Sequence, residues 1–282
     1  MPELPEVETV RRGLERQTCG LVLAQVEVLR PRAIAHPPDP ELFALALRDC
    51  QLTAWHRRGK YLLADLRDRG GDDAGRWGVH LRMTGQFLWL SEPTEPCRHT
   101  RVRLFATDGG ELRFVDTRSF GQMWWVPPGT AAEEVIGGLA RLGPEPFDAA
   151  FTGDWLRERL QGSQRPIKTA LLDQSLVAGV GNIYADEALF ASGIAPQTPS
   201  KRLSPAQLQS LRDALVEVLR VSIGAGGTTF SDFRDLKGLN GNYGGQAWVY
   251  RRAGAPCRRC GTPIQRERLA GRSSHWCPQC QH

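Results

Sequence analysis

Four cysteines near the end of the chain constrain its fold more than any other feature. Cys257 and Cys260 are separated by two residues, Cys277 and Cys280 likewise, and sixteen residues lie between the pairs. Two pairs at this separation fit a tetrahedral zinc site. Four thiolates leave no open coordination position, so the expected metal is one structural zinc and not a catalytic one. The other cysteines, Cys19, Cys50 and Cys97, are scattered, and the total of seven is odd. That usage fits reduced thiols in a cytoplasmic setting, where disulfides across the four positions are disfavoured.

The same region carries charge. Residues 241–282 hold seven arginines against a single acid, Glu267, which accounts for the whole excess behind the chain's formal charge of +5. A basic block at one end suggests a polyanionic partner. Arg266, Arg268 and Arg272 fall between the cysteine pairs. A zinc-pinned hairpin with arginine at its tip would suit phosphate or groove contact. The chain has only four lysines, Lys60, Lys168, Lys201 and Lys237. No apolar run is long enough for a membrane span, and no basic start leads into a short apolar run as in a signal peptide.

At 282 residues the length favours two domains over one. Residues 5–18 show helical spacing through Val7, Val10 and Leu14, and Pro40–Cys50 fits a second helix. Strand-like runs cover Leu21–Leu29, Tyr61–Leu66, Trp77–Leu90, Arg101–Thr107, Glu111–Val115 and Gly121–Val126, with turn signals at 70–75 and 108–110. This half reads as a β-sandwich or flattened barrel with two helices attached. Pro127-Pro128-Gly129 begins a linker. Beyond it the period becomes helical, near 131–142, 153–161, 166–174, 183–192 and 204–223. Residues 224–247, rich in Gly, Asn and Thr, form a long loop, a feature that is usually functional or disordered.

Two short stretches bear on chemistry. If Met1 is removed from M-P-E-L-P-E-V-E, Pro2 becomes the amino terminus. An α-amine has a pKa of about 7.7–8.0, so part of it is an uncharged nucleophile near neutrality. Amines form Schiff bases with carbonyl carbons, and one from proline is a cationic iminium. Glu3 and Glu6 stand beside it as carboxylates able to move protons. The same residues also fit an ordinary helix start, with proline and acids in the first turn. The second stretch is L-L-D-Q-S-L-V-A-G-V-G-N-I-Y, in which Gly179 and Gly181 permit an unusual turn and Asn182 is placed to cap a helix from Ile183. Helix-end amides there, with Lys168 upstream, could meet a phosphate; a capped helical hairpin is the structural alternative.

P-E-L-P-E-V-E, G-K-Y-L, the G-V-G-N-I-Y turn and the terminal four-cysteine module, in this order, resemble the formamidopyrimidine-DNA glycosylase family over essentially the whole chain. The resemblance implies an α+β multidomain protein: a catalytic two-helix β-sandwich (1–128), a helix–two-turn–helix DNA-binding domain (129–240) with a lesion-capping loop at about 226–245, and a β-hairpin zinc finger (241–282). It implies a bifunctional glycosylase and abasic-site lyase that removes oxidised purines such as 8-oxoguanine from double-stranded DNA in base excision repair. The enzyme would be a bacterial cytoplasmic monomer, nucleoid-associated through DNA. P-E-L-P-E favours this branch over the sister endonuclease VIII, which prefers oxidised pyrimidines. A zinc-dependent DNA-binding protein without catalysis is a further alternative, but it leaves Pro2, Glu3 and Lys60 unexplained.

By resemblance, Pro2 attacks C1′ of a flipped-out nucleotide, Glu3 exchanges protons with the sugar oxygen and Glu6 supports that network. Lys60 contacts the damaged base and a nearby phosphate, and Arg272 grips phosphates around the lesion. His99, Lys168 and Asn182 match phosphate-binding positions. Met83, Arg118 and Phe120 match side chains that fill the hole left by the flipped base, with Arg118 facing the orphaned cytosine. The chain departs from the family pattern before the wedge methionine, where Arg82 replaces the usual glycine. It departs again in D-T-R-S-F-G, at Thr117 and Ser119, and in the loop sequence L-N-G-N-Y-G.

Overall fold

The computed structural model describes residues 1–228 and 243–282. It contains two compact units, Met1–Ala140 with Gly226–Thr228, and Arg141–Ala225 with Tyr243–His282.

In the first unit, α1 (Leu4–Thr18) has proline in its first turn and a capping box between Glu3 and Glu6. Leu4, Val7, Val10 and Leu14 form its buried stripe, the amphipathic pattern of a helix lying on a core. There follow β1 (Leu23–Val28), β2 (Ile34–His36), α2 (Pro40–Leu47), β3 (Gln51–Arg58), β4 (Tyr61–Arg67), β5 (Asp73–His80), β6 (Gly85–Leu90), β7 (Thr100–Ala106), β8 (Glu111–Asp116), β9 (Gln122–Val126) and the single turn α3 (Ala132–Val135). The strands form a five-stranded sheet, β2-β9-β5-β4-β3, and a four-stranded sheet, β1-β7-β8-β6. All pairings are antiparallel except β2 with β9.

Aromatic side chains from the two sheets interlock and make the sandwich core. Trp55 and Trp77 come from the five-stranded sheet, and Phe87 and Phe114 from the four-stranded one. Centroids lie 5.3 Å apart for Trp55–Trp77, 5.7 Å for Trp77–Phe87 and 5.2 Å for Phe87–Phe114, the tilted spacings that aromatic quadrupoles favour. Helix α1 is fastened to β3 by Trp55 Nε1, which donates to Thr18 Oγ1 at 2.9 Å.

In the second unit, α4 (Gly153–Leu160), α5 (Ile167–Leu171), α6 (Asn182–Ala191) and α7 (Pro205–Gly224) precede a hairpin of β10 (Gln265–Leu269) and β11 (Arg272–Trp276). Ser204 and Gln207 close a capping box on α7, and its expected stripe of Leu208, Leu211, Leu215, Val218 and Leu219 is buried. Ala270 and Gly271 both have positive φ, +46° and +80°, and join β10 to β11 in a tight two-residue turn. No helix of the described residues is long and apolar enough to cross a membrane.

Several sequence expectations need revision. The run Trp77–Leu90 is two strands in different sheets, β5 and β6, with a corner at residues 81–84. No Gly, Pro or Asn marks that corner, because Arg82 takes the left-handed conformation there, φ +54°. Strand β3 was hidden because only Leu52 and Trp55 along it are buried, which gives no alternation. The helix expected at 131–142 shrinks to the single turn α3, which ends at its C-cap Ile136, and Gly138 beyond it packs so close to Tyr61 that a Cβ would sit 2.0 Å from its hydroxyl. Asn182 does not cap α6: the cap is Gly181, and Asn182 is the first helical residue. The expected loop at 224–247 falls largely on residues outside those described.

Candidate functional site

The first eight residues start α1 with two buried carboxylates, Glu3 and Glu6, 2% and 1% exposed. The Glu3 N–H donates to Glu6 Oε2 at 2.8 Å, and the Thr228 N–H donates to Glu6 Oε1 at 2.7 Å. Glu6 therefore joins the start of the helix to the chain just beyond Gly226-Gly227. Pro2 is buried and Met1 exposed. While Met1 is attached, the Pro2 nitrogen is an amide, with no basic lone pair.

Lys60 occupies the tight turn between β3 and β4, after Gly59 at φ +57°, and is 6% exposed. One strap sets this turn relative to α1. Arg57 Nη1 donates to the Gly59 carbonyl at 3.0 Å, and Arg57 Nε donates to Glu8 Oε2 at 3.2 Å. Burial pushes the Glu8 carboxyl up, but Arg11, Arg12 and Arg57 outweigh it and hold the group below its usual range. Sequence reasoning passed over Glu8 and Arg57, although R-R-G-K placed the arginine three residues before Lys60.

Met83, Arg118 and Phe120 project from two neighbouring loops that Asp116 ties together. Asp116, 1% exposed, accepts the Thr84 hydroxyl and the Arg118 N–H on Oδ1, and the Gly121 N–H at 2.7 Å on Oδ2. Close packing needs glycine on both loops: a Cβ on Gly85 or Gly121 would approach Phe114 Cζ to 2.8 or 2.6 Å. Phe120 is 41% exposed, and the Arg118 guanidinium lies 4.9 Å from its ring centroid. An exposed aromatic under a cation does not behave as a core residue. Met83 and Phe120 line a cavity of about 380 Å³ together with Met1, Arg32, Arg82 and Gln122. The N-terminus and the two apolar loop residues thus share one surface hollow.

Arg82 and Ser119, two of the residues that depart from the family pattern, both have left-handed backbone, φ +54° and +55°. For a residue with a Cβ this conformation costs about 1–2 kcal/mol. The Arg82 N–H donates to His80 Nδ1 at 2.9 Å, so His80 must be a neutral imidazole with an unprotonated Nδ1. Burial, with the charges of Arg82 and Lys60 close by, pushes the His80 pKa down to about 3. His80 was not singled out from the sequence, where nothing distinguishes it from a surface histidine.

His99 is half-buried between two arginines: Arg98 Nε donates to its Nε2 at 3.0 Å, and Arg101 Nη2 lies 3.4 Å from its Nδ1. The three form a cationic patch suited to an anion.

Lys168 is fully buried, its Nζ 2.6 Å from Asp186 Oδ1 and 2.6 Å from the Ser273 carbonyl. The residue expected from the resemblance to contact phosphate thus has its charge paired inside the fold with Asp186. Asn182 Nδ2 donates to the same carbonyl at 2.9 Å. Asp186 also accepts the Ser274 hydroxyl at 3.1 Å and the His275 N–H at 2.9 Å. Lys168, Asn182 and Asp186 therefore seat β11 on α6. Arg272, exposed at the first position of β11, is the charge this seating presents.

The four Sγ atoms of Cys257, Cys260, Cys277 and Cys280 all lie within 4.8 Å of one another. Two separations are 4.0 and 3.5 Å, against the roughly 3.8 Å edge of a tetrahedron with Zn–S bonds of about 2.3 Å. The donor set fits one structural zinc. The thiols do not ionise alike: hydrogen bonds from Thr262 bring Cys260 down to about 6, while burial and the neighbouring thiols push Cys280 up to about 12. A dication offsets that mutual repulsion.

The chain matches three family models: the formamidopyrimidine-DNA glycosylase N-terminal domain over residues 1–123, the formamidopyrimidine-DNA glycosylase H2TH domain over 142–234, and the zinc finger found in FPG and IleRS over 254–282. It is 67% identical to the formamidopyrimidine-DNA glycosylase of a Synechococcus strain, spanning 100% of this chain and 99% of the relative. A Parasynechococcus marenigrum protein of the same name is 63% identical with full coverage of both. Among solved structures, a Lactococcus lactis Fpg complex with abasic-site DNA superposes with a TM-score of 0.90 at 34% identity, covering 99% of each chain. The Thermus thermophilus MutM (Fpg) protein gives 0.86 at 40% identity, covering 99% of this chain and 98% of that one.

Proposed function

The chain belongs to the formamidopyrimidine-DNA glycosylase family, DNA glycosylases of base excision repair with abasic-site lyase activity, and on that premise we propose how its residues divide the reaction. One observation carries the reading. Pro2, which becomes N-terminal on loss of Met1, lies just ahead of a helix whose N-cap and first turn carry two buried carboxylates, Glu3 and Glu6.

The substrate is double-stranded DNA containing an oxidised purine. Base and sugar can be reached only when the nucleotide leaves the stack. Met83 and Phe120 enter the vacated space, and Arg118 faces the orphaned cytosine, whose exposed edge offers acceptors. The free Pro2 nitrogen forms a bond to C1′ and the glycosidic bond breaks, the base leaving with its bonding pair and gaining a proton. Glu3 protonates the sugar ring oxygen as the ring opens, giving an iminium between Pro2 and C1′. Glu6, fixed by two backbone N–H groups, keeps Glu3 in place. The iminium acidifies the C2′ proton. Its removal expels the 3′ phosphate by β-elimination, and a second elimination expels the 5′ phosphate.

Lys60 serves the damaged base and an adjacent phosphate. Arg272 and the His99 patch bind phosphates. Lys168 and Asn182 act on DNA through Arg272, by holding the carbonyl beside it. The zinc supplies no chemistry; it fixes the hairpin that carries Arg272. We assign residues 1–128 to the catalytic domain, 129–240 to the helix–two-turn–helix domain and 241–282 to the zinc finger. The protein works as a cytoplasmic monomer on the nucleoid.

Paired duplexes test the substrate assignment. Protein lacking Met1 should nick DNA with 8-oxoguanine opposite cytosine faster than DNA with thymine glycol. Equal or better cutting of thymine glycol would move the chain to the endonuclease VIII type of specificity.

A further inference from the structure

The corner between β5 and β6 presents Met83 immediately after an arginine whose backbone conformation favours glycine. A glycine at this position would keep the backbone N–H that His80 Nδ1 accepts. It would lack what the side chain adds: Arg82 Nη2 donates to Gln122 Oε1 at 2.5 Å. Gln122 begins β9 and stands opposite His80 in the β5–β9 register. The corner is thereby held at two points on one sheet, and His80 is itself packed edge-on against Tyr61 at 4.6 Å. Arg82, Gln122, Met83 and Phe120 line the same cavity.

We propose that Arg82 is a positioning residue for base extraction: its bond to Gln122 holds Met83 ready to enter the duplex. This rests on the glycosylase reading and on Met83 as a wedge. With only the residue-82 N–H on that sheet, and Thr84 on Asp116 at its far end, the corner keeps more freedom at Met83, and the entropy of ordering it as the base leaves adds to the extraction barrier. A corner already fixed by a charge-assisted bond adds no such term. An abasic site presents no base to extract, so its cleavage depends less on the corner.

The test compares two substrates under single-turnover conditions, excision from 8-oxoguanine·cytosine duplexes and cleavage of a preformed abasic site. R82G retains the N–H contact and relieves the left-handed strain. Q122L retains Arg82 and removes its acceptor, while Q122E restores one. The ratio of excision to abasic cleavage should fall about tenfold in R82G and Q122L, the effect of losing one charge-assisted hydrogen bond. It should return toward the wild-type ratio in Q122E. Melting temperatures should show R82G folded. A ratio unchanged in R82G and Q122L, or both activities falling in parallel, would overturn the proposal. Wild-type protein that cuts neither duplex would instead overturn the glycosylase reading on which it rests.

Discussion

Mild acidification should destabilise the first unit through one buried imidazole. His80 is 7% exposed and accepts the Arg82 N–H at Nδ1, which only a neutral ring can do. Burial, then the charges of Arg82 and Lys60, lower its pKa from 6.5 to about 3. The folded chain therefore refuses a proton that the unfolded chain accepts below pH 6.5. Stability from this group is fully present above 6.5 and is lost as pH falls toward about 3. At about pH 5 the unfolded state has gained about 1.5 pH units of protonation free energy, or about 2 kcal/mol. Urea unfolding of wild type and H80N between about pH 8 and pH 5 isolates the effect. Asparagine keeps an acceptor for the Arg82 N–H and does not titrate. Wild type should lose about 2 kcal/mol more than H80N over that interval. Equal losses would refute the assignment of His80 as a buried neutral acceptor.

Other consequences follow from the second unit. Chelating the zinc should unfold the hairpin and weaken DNA binding, since structural zinc supplies on the order of 10 kcal/mol of folding free energy; circular dichroism melting and binding titrations would show both. R272A should lower the slope of log affinity against log salt by about one, as expected for one lost phosphate contact. K168M should leave the buried Asp186 carboxylate without its lysine, costing about 3–5 kcal/mol in denaturant midpoint analysis, while the lost Lys168 charge takes nothing from the salt slope.

The two-helix sandwich and the cysteine module were legible because each announces itself locally. Alternating strands, a capped helix and a fixed cysteine spacing need no knowledge of distant residues. What escaped notice depends on tertiary partners. The corner at residues 81–84 carries no turn residue, and only the His80 and Gln122 contacts show why Arg82 tolerates its backbone there. Lys168 reads as an available cation until Asp186, eighteen positions later, is seen to bind it. Asn182 looks like a helix cap, yet its amide bonds Ser273, ninety-one residues away. Glu8, Arg57 and Asp116 are polar groups whose work is to hold loops, and sequence alone does not distinguish them from surface charges. Met83 and Phe120 have core-like chemistry, and the exposure of Phe120 beneath Arg118 separates it from the core.

The central claim is that the reactive atom is the backbone nitrogen of Pro2. Borohydride trapping on abasic-site DNA, followed by peptide mass spectrometry of the adduct, tests it directly. Protein from which Met1 has been removed should give a reduced covalent adduct on the N-terminal peptide, with the added sugar mass on Pro2, and protein retaining Met1 should give none. An adduct mapped to Lys60 or any other side chain, or no adduct from the processed protein, would contradict the account.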